Sequence, residues 1–337
     1  MRPLVCNYYL TLKCNDTCEF CCIWQKKEFQ GMEDSGAETV KKNLKQLRGM
    51  GVIAMNFTGG EPLLYEELPE VLRASKRLGF FNILTTNGVL YLEKAKQVTD
   101  FVDHLVFSLD SPMRSDHNRI RGTDCYQSVI DGIKTAKQLG KNPIINFTVT
   151  RDTIALLPDM VDLSNKLGVL LWINPVYNWS GLEGFNRDSV DYLSRYFGRK
   201  NVALNLASLK VIRDGGNNIR KPVCRAGSST ITIFPDNTLV SPCIYLQGSV
   251  VKLDEGLATA LKRREVISAI SLHGRDEKCK GCMDWSYLDP SFLHGFDKNL
   301  FLALYSMWSL FWKELRLKPA LPAPTRGEPA GRKGAVK

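Results

Sequence analysis

Cys14, Cys18 and Cys21 stand at the spacing C-x3-C-x2-C inside the stretch TLKCNDTCEFCCIW, Thr11 to Trp24. As thiolates, such side chains are ligands for soft metal centres, iron–sulfur clusters above all. The same spacing, i, i+4, i+7, would also place three cysteines in a buried helical stripe. Asn15, Asp16 and Thr17 follow an extended apolar run, however, and favour a loop or cap in which the chain folds back and the thiols converge. Three ligands on a four-iron cluster leave one iron open to an outside molecule. Cys22 directly follows a candidate ligand, Cys6 lies on the first strand and Cys125 at a helix start; all three read as packed thiols. Cys224, Cys243, Cys279 and Cys282 recur in the last third, where the terminal C-x2-C is itself a metal-ligand spacing. Four thiolates suit a structural zinc ion and an iron–sulfur cluster equally well. The first residues, MRPLVCNYYL, read as a strand rather than an export signal, so a cytoplasmic location is expected. There, metal or redox chemistry explains ten cysteines better than disulfides do.

The elements that must position these thiols are legible as alternation. Apolar, β-rich runs occur at 5–12, 53–57, 81–84, 104–109, 143–149 and 169–173. Helical patterns lie between them at 37–50, 65–78, 90–98, 126–139 and 154–167, and glycines close several of them, as in RLGF, QLGK and KLGV. Regular alternation implies an α/β fold with a parallel sheet and right-handed crossovers, either an open doubly wound sheet or a partial barrel. In both, chemistry gathers at the carboxyl ends of the strands. The run STITIFPDNTLVSPC reads as a small hairpin turning at PDN.

The motif CNDTCEFC, with aromatic Phe20 before its third cysteine, resembles the cluster motif of radical S-adenosylmethionine (radical SAM) enzymes. FTGGEP (Phe57 to Pro62), TTNG (Thr85 to Gly88) and FSLDSP (Phe107 to Pro112) end the second, third and fourth strands in the family's order, and HNRIRG (His117 to Gly122) follows. The resemblance implies a partial (β/α)6, TIM-like barrel. It also implies a 4Fe–4S cluster on Cys14, Cys18 and Cys21, with S-adenosylmethionine held at the open iron. Phe20, Gly59, Gly60, Glu61, Pro62, Asn87, Ser108, Asp110 and Arg121 are the expected cofactor-binding positions. Glu61 would pair with the cofactor's ammonium and Arg121 with a carboxylate. Asn87, Ser108 and Asp110 would meet ribose hydroxyls or the amino-acid end. Gly59 and Gly60 would let backbone approach a ligand, and Pro62 would fix the turn's exit. The family's reaction is reductive cleavage of the cofactor, followed by hydrogen abstraction from an unreactive carbon by a 5′-deoxyadenosyl radical. It is oxygen-sensitive and uses an electron donor such as flavodoxin or ferredoxin. The cofactor carries the hard step, so no general-base dyad is required.

Residues from Cys224 to Cys243 resemble the opening of the SPASM or twitch extensions that bind auxiliary 4Fe–4S clusters. Asn237 stands where the turn glycine is expected, and one extra residue precedes Cys243. Leu288 and Phe292 stand where a full SPASM pattern needs further cysteines. One auxiliary cluster on Cys224, Cys243, Cys279 and Cys282 is the economical expectation. The organisation expected is a core at 1–180, a connector at 181–223, an auxiliary-cluster domain at 224–290, an apolar helix at 291–316 and a disordered basic tail at 317–337. No peptide-leader-binding domain is evident. Candidate substrates are a peptide, a cofactor precursor, a tetrapyrrole or a lipid. The rival is a non-catalytic iron–sulfur or zinc scaffold, which would need neither GGEP nor the polar strand tips.

The net charge is +10, and half of it lies at 313–337, where seven Lys or Arg face two acids. The body is therefore only mildly basic, and no nucleic-acid partner is expected. LFLALYSMWSLFW, Leu300 to Trp312, runs 13 residues without a charge, short of the roughly 20 that span a bilayer. It is apolar around its circumference and should bury as a core or dimer helix. The alternative is peripheral membrane contact through 297–316, its aromatic residues adjoining the basic tail, with a lipidic substrate as the corollary.

Overall fold

The computed structural model describes residues 3–176 and 185–317. Six parallel strands form its centre: β1 (Val5–Thr11), β2 (Ala54–Gly59), β3 (Phe81–Thr86), β4 (His104–Ser108), β5 (Ile144–Val149) and β6 (Leu170–Pro175). Between them run α1 (Ala37–Gly49), α2 (Leu68–Arg77), α3 (Tyr91–Val98), α4 (Arg114–Arg121), α5 (Tyr126–Gln138) and α6 (Leu157–Leu167). This is the expected partial (β/α)6 barrel. Helix α4 was not among the expected elements: RSDHNRIR carries only Ile120 as a large aliphatic, so it has no apolar stripe to read.

The strands show why the barrel forms. Along β1, Cys6, Tyr8 and Leu10 are buried with the helices' apolar faces, while Asn7 and Tyr9 alternate to the inside. Phe57, Leu84, Phe107 and Phe147 continue the apolar layer on the neighbouring strands. The inner face is polar: Asn56 donates to Asn7 at 3.0 Å, and Asn174 donates to Asn146. A barrel with a polar lumen can admit a polar ligand.

The connector described from residue 185 holds α7 (Arg187–Ser194), a short strand β7 (Val202–Ala203) parallel to β6, and α8 (Leu206–Arg213). β8 (Thr230–Phe234) then returns to the far edge and pairs in parallel with β1. β9 (Thr238–Ser241) and β10 (Ser249–Lys252) continue antiparallel, giving one ten-stranded sheet, β10-β9-β8-β1-β2-β3-β4-β5-β6-β7. The hairpin at PDN is as expected, and Asn237 takes φ 60°, a turn conformation asparagine tolerates in place of glycine. The second thiol set is thus carried on an extension of the core's own sheet. α9 (Leu257–Ala260), α10 (Arg264–Ser271) and α11 (Trp285–Phe292) pack around it.

The last helix, α12 (Lys298–Leu317), overturns the expectation of a core helix, since most of its large apolar residues are exposed in the single chain. Its inward stripe is Ala303, Ser306, Leu310, Lys313 and Leu317. Leu310 and Leu317 pack beneath the amino ends of β4, β5 and β6, against Val106, Ile144, Leu170 and Trp172. The large aromatics face outward. The tail expected to be disordered lies, from residue 318 on, outside the described residues.

Candidate active site

The loop after β1 is built by its neighbours. The backbone amides of Gly60 and Glu61 donate to the carbonyls of Thr11 (2.9 Å) and Lys13 (2.8 Å). A Cβ on Gly60 would stand 2.1 Å from the Lys13 carbonyl, and one on Gly59, at φ +147°, 1.9 Å from that of Thr11. The glycine pair therefore serves the approach of the cysteine loop's own backbone; a ligand is not what occupies the missing Cβ space. On the other side, Thr17 and Glu19 donate to the carbonyls of Arg121 and Ile120 at the end of α4, both at 3.0 Å. Trp24 Nε1 closes the loop on the Cys18 carbonyl at 3.0 Å.

These constraints bring Cys14, Cys18, Cys21, Phe20, Gly60, Glu61, Asn87, Ser108 and Arg121 around one cavity of about 120 Å³. Gly59, Pro62 and Asp110, expected as contacts, are absent from its lining. Pro62 opens a single helical turn that Glu61 caps. Asp110 lies behind the wall, where its Oδ2 is 2.6 Å from Arg121 Nη2 and its Oδ1 accepts from the Thr148 amide at 2.9 Å. Arg121 in turn lies 3.5 Å from Cys18 Sγ and over the Phe20 ring at 5.5 Å. Burial disfavours its charge, but Asp110, Cys18 and Asp16 outweigh that and raise its pKa, so the guanidinium stays charged.

Glu61 is 1% exposed and binds three donors: Thr86 Oγ1 and the Leu63 amide at Oε1 (both 2.9 Å), and the Asn87 amide at Oε2 (2.7 Å). Burial pushes its pKa up to about 7 against the pull of these hydrogen bonds. Oε2 retains a lone pair, which leaves room for one ammonium donor. Asn87 is a strut: its Nδ2 donates to Asn15 Oδ1 (2.8 Å), tying the tip of β3 to the cysteine loop. His117 accepts from the Asp110 amide at 3.2 Å and meets Cys125 Sγ at 3.3 Å. Burial, then Arg121, pulls its pKa down to about 3, so it is a neutral core group.

Sequence reasoning missed Asp16. Its carboxylate is 2% exposed and lines the cavity, and neither oxygen accepts a hydrogen bond. Thr123 and Asn87 come near it without completing one, and burial raises its pKa against the pull of Arg121. A buried, unsatisfied carboxylate aimed at a cavity is costly without a polar guest. The signal was an acid placed between two ligand cysteines. Together with three thiols and a spare acceptor on Glu61, it gives a donor set that fits a thiolate-held cluster and a cationic, hydroxyl-rich cofactor. Burial pushes Cys14 up to about 12 and Cys18, despite Arg121, up to about 11, so cluster loading must expel thiol protons.

The second set also converges. Cys224, Cys243, Cys279 and Cys282 line one pocket with Asn217, Tyr245, Asp284 and Tyr287. Asn217, another residue the sequence did not single out, stitches the pocket together. Its Nδ2 donates to the Gly274 and Cys279 carbonyls (2.8 and 3.1 Å). Its Oδ1 accepts from the Val223 and Cys224 amides (3.1 and 3.3 Å), and its own amide donates to the Cys282 carbonyl at 2.9 Å. Asn217→Ala leaves several of these groups unpaired and should cost about 2–4 kcal/mol, read as a lower urea midpoint of the metal-free protein and faster alkylation of Cys224 and Cys279. Tyr9, on the inner face of β1, lies within electrostatic reach of Cys21 and Cys22 on one side and Cys243 on the other. Among the described residues no three His, Cys, Asp or Glu side chains converge tightly enough to hold a single metal ion. Each thiol set surrounds a cavity rather than a point.

The barrel thus has a polar lumen, with thiols, a buried glutamate and a glycine pair at its strand tips. Residues 8–162 match the model of the Radical SAM superfamily. Residues 8–162 thus carry a Radical SAM domain, a family that implies a 4Fe–4S cluster and S-adenosylmethionine. A relative named probable GTP 3′,8-cyclase, from Saccharolobus islandicus (strain M.14.25 / Kamchatka #1), is 27% identical over 266 residues, covering 72% of this chain and 83% of that protein. Another of the same name, from Sulfurisphaera tokodaii, is 27% identical over 282 residues, covering 77% and 87%. In fold the chain is similar to Streptococcus suis SuiB bound to S-adenosylmethionine, with a TM-score of 0.65 and 18% identity over 88% of this chain and 75% of that one. It is similar too to anSMEcpe with bound AdoMet, with a TM-score of 0.61 and 18% identity over 94% and 98%.

Proposed function

We propose that Cys14, Cys18 and Cys21 hold a 4Fe–4S cluster and that the adjoining cavity takes S-adenosylmethionine, the chain using them to abstract hydrogen from an organic substrate. The observation that carries this reading is the single cavity shared by the three thiols, Glu61, Ser108, Arg121 and the unsatisfied Asp16. When bound, the cluster supplies the electron that cleaves the cofactor's carbon–sulfur bond. The chain's own residues bind and orient. Glu61 Oε2 offers its free lone pair to the ammonium, Asp16 offers two acceptors to hydroxyls, and Arg121, steadied by Asp110, lies beside the Cys18 sulfur. Asn87 and Gly60 hold the loop's position. A flavodoxin- or ferredoxin-type donor is the expected source of the electron.

The second pocket we assign to one auxiliary 4Fe–4S cluster on Cys224, Cys243, Cys279 and Cys282, making 1–180 the core, 181–223 the connector and 224–290 the auxiliary region. A zinc ion on the same four thiols is the alternative, and iron and zinc analysis of the purified protein decides between them. Four ligands leave no open iron, so this cluster relays electrons or shapes the lumen.

Anaerobic reconstitution with iron and sulfide, followed by dithionite and S-adenosylmethionine, tests the assignment. The expected result is 5′-deoxyadenosine. A fully loaded protein that forms none would instead be a scaffold.

A further inference from the structure

Along α12, Phe301, Leu304, Tyr305, Trp308, Phe311, Trp312 and Leu315 recur at i, i+3, i+4, i+7 and onward, a regular apolar stripe. All of them point into solvent: Trp308 is 59% exposed, Phe301 57% and Phe311 55%. The opposite face is held to the barrel by polar locks. Lys313 Nζ donates to the carbonyls of Phe197 (2.6 Å) and Val202 (2.8 Å). Ser306 Oγ accepts from the Leu206 amide (3.0 Å), and Glu314 pairs with His104 (2.7 Å). Rotating the stripe inward would bury aromatics only by breaking every one of these contacts. The outward orientation is therefore specified by the sequence, and a contiguous exposed apolar stripe along a 20-residue helix marks an interaction surface.

We infer that this face docks the protein on an anionic lipid surface. Charge decides between lipid and a second copy of the chain. Arg316 is exposed, and from Arg316 to Lys337 the sequence carries six Lys or Arg against one acid, Glu328. Two copies joined through α12 would bring two such segments together and repel each other. Anionic headgroups complement them. The stripe also mixes Trp308, Trp312 and Tyr305, rings with one polar atom each, which suit the boundary between water and acyl chains. No described helix is long and apolar enough to cross a membrane, so the contact lies in the interface. Because α12 packs under the amino ends of β4–β6, docking leaves the cavity at the carboxyl ends facing away from the lipid. The surface thus localises the protein. A membrane-embedded substrate, the corollary drawn from sequence, does not follow from it.

The test is co-sedimentation of the intact, cluster-reconstituted chain with vesicles of phosphatidylcholine alone or mixed with phosphatidylglycerol. It is run beside the triple variant Trp308→Ser, Phe311→Ser, Trp312→Ser, whose changed side chains are about half exposed, with circular dichroism confirming that the variant is folded. Expected are binding to the mixed vesicles only, weakening with salt, and a fall of roughly tenfold or more in partition for the variant. A wild-type chain that stays in the supernatant with anionic vesicles overturns the inference, as does a variant that pellets equally well. Sedimentation velocity that finds a dimer of the wild type abolished in the variant, without vesicle binding, assigns the face to a second copy instead.

Discussion

Cys18→Ala, reconstituted anaerobically, should form no 5′-deoxyadenosine while keeping about half of the wild-type iron. Cys18 is 6% exposed, lines the cavity beside Arg121, and belongs to a loop pinned at both ends, by Thr11 and Lys13 to β2 and by Thr17 and Glu19 to α4. The pinned loop cannot recruit a substitute from its own length. Cys22, the adjacent thiol, is outside the cavity's lining, so it cannot replace the lost ligand without rebuilding the turn. Changes in groups that merely orient metal ligands cost 10–100-fold, and removal of a ligand should exceed about a hundredfold. None of the second pocket's lining residues comes from this loop, which touches that region through apolar packing of Leu12 and Ile23, so its iron should remain. Iron analysis and product chromatography on one sample separate the two sites. Total loss of iron would mean that the second set loads only when the first is intact. Unchanged product would remove Cys18 from the ligand set.

Much of the catalytic end was legible because its signals are short, local and punctuated. GGEP, TTNG and FSLDSP stand at strand tips, and strand tips follow from alternation of period 2 and 3.6. What the motifs do was less legible. The glycines of FTGGEP read as space for a ligand, yet the space of their missing Cβ atoms is taken by the carbonyls of Thr11 and Lys13, contacts 47 and 48 residues apart in sequence. Asp110 read as a contact and is a support for Arg121. Asn217 was silent because its six hydrogen bonds go to backbone groups of residues 223 to 282, a pattern with no side-chain signature. In α12 the composition misled. Counting apolar residues around the circumference hid that the small and hydrogen-bonding ones, Ala303, Ser306 and Lys313, share the protein-facing side. Orientation is set by which face can satisfy backbone groups of the neighbouring connector, and hydropathy alone does not carry that information.

Asp110→Ala should destabilise the metal-free protein by about 3–5 kcal/mol, the cost of stranding one partner of a buried ion pair. Asp110 is 0% and Arg121 6% exposed, and the pair spans from the end of β4 to the end of α4, the helix that anchors the cysteine loop. The substitution also orphans the Thr148 amide, which Asp110 Oδ1 now accepts, loosening β4 from β5 at the cavity's rim. Arg121 would then face Cys18 and Asp16 alone, and its charge would be too poorly compensated to stay in place. A second substitution tests this account. In Asp110→Ala with Arg121→Met no stranded charge remains, so the double variant should be more stable than the sum of its parts by about 0.5–3 kcal/mol. Urea denaturation of the wild type, both single variants and the double variant closes the cycle. Additive losses would show that the two side chains stabilise the barrel separately, and Asp110 would then have no part in holding Arg121 at the cavity.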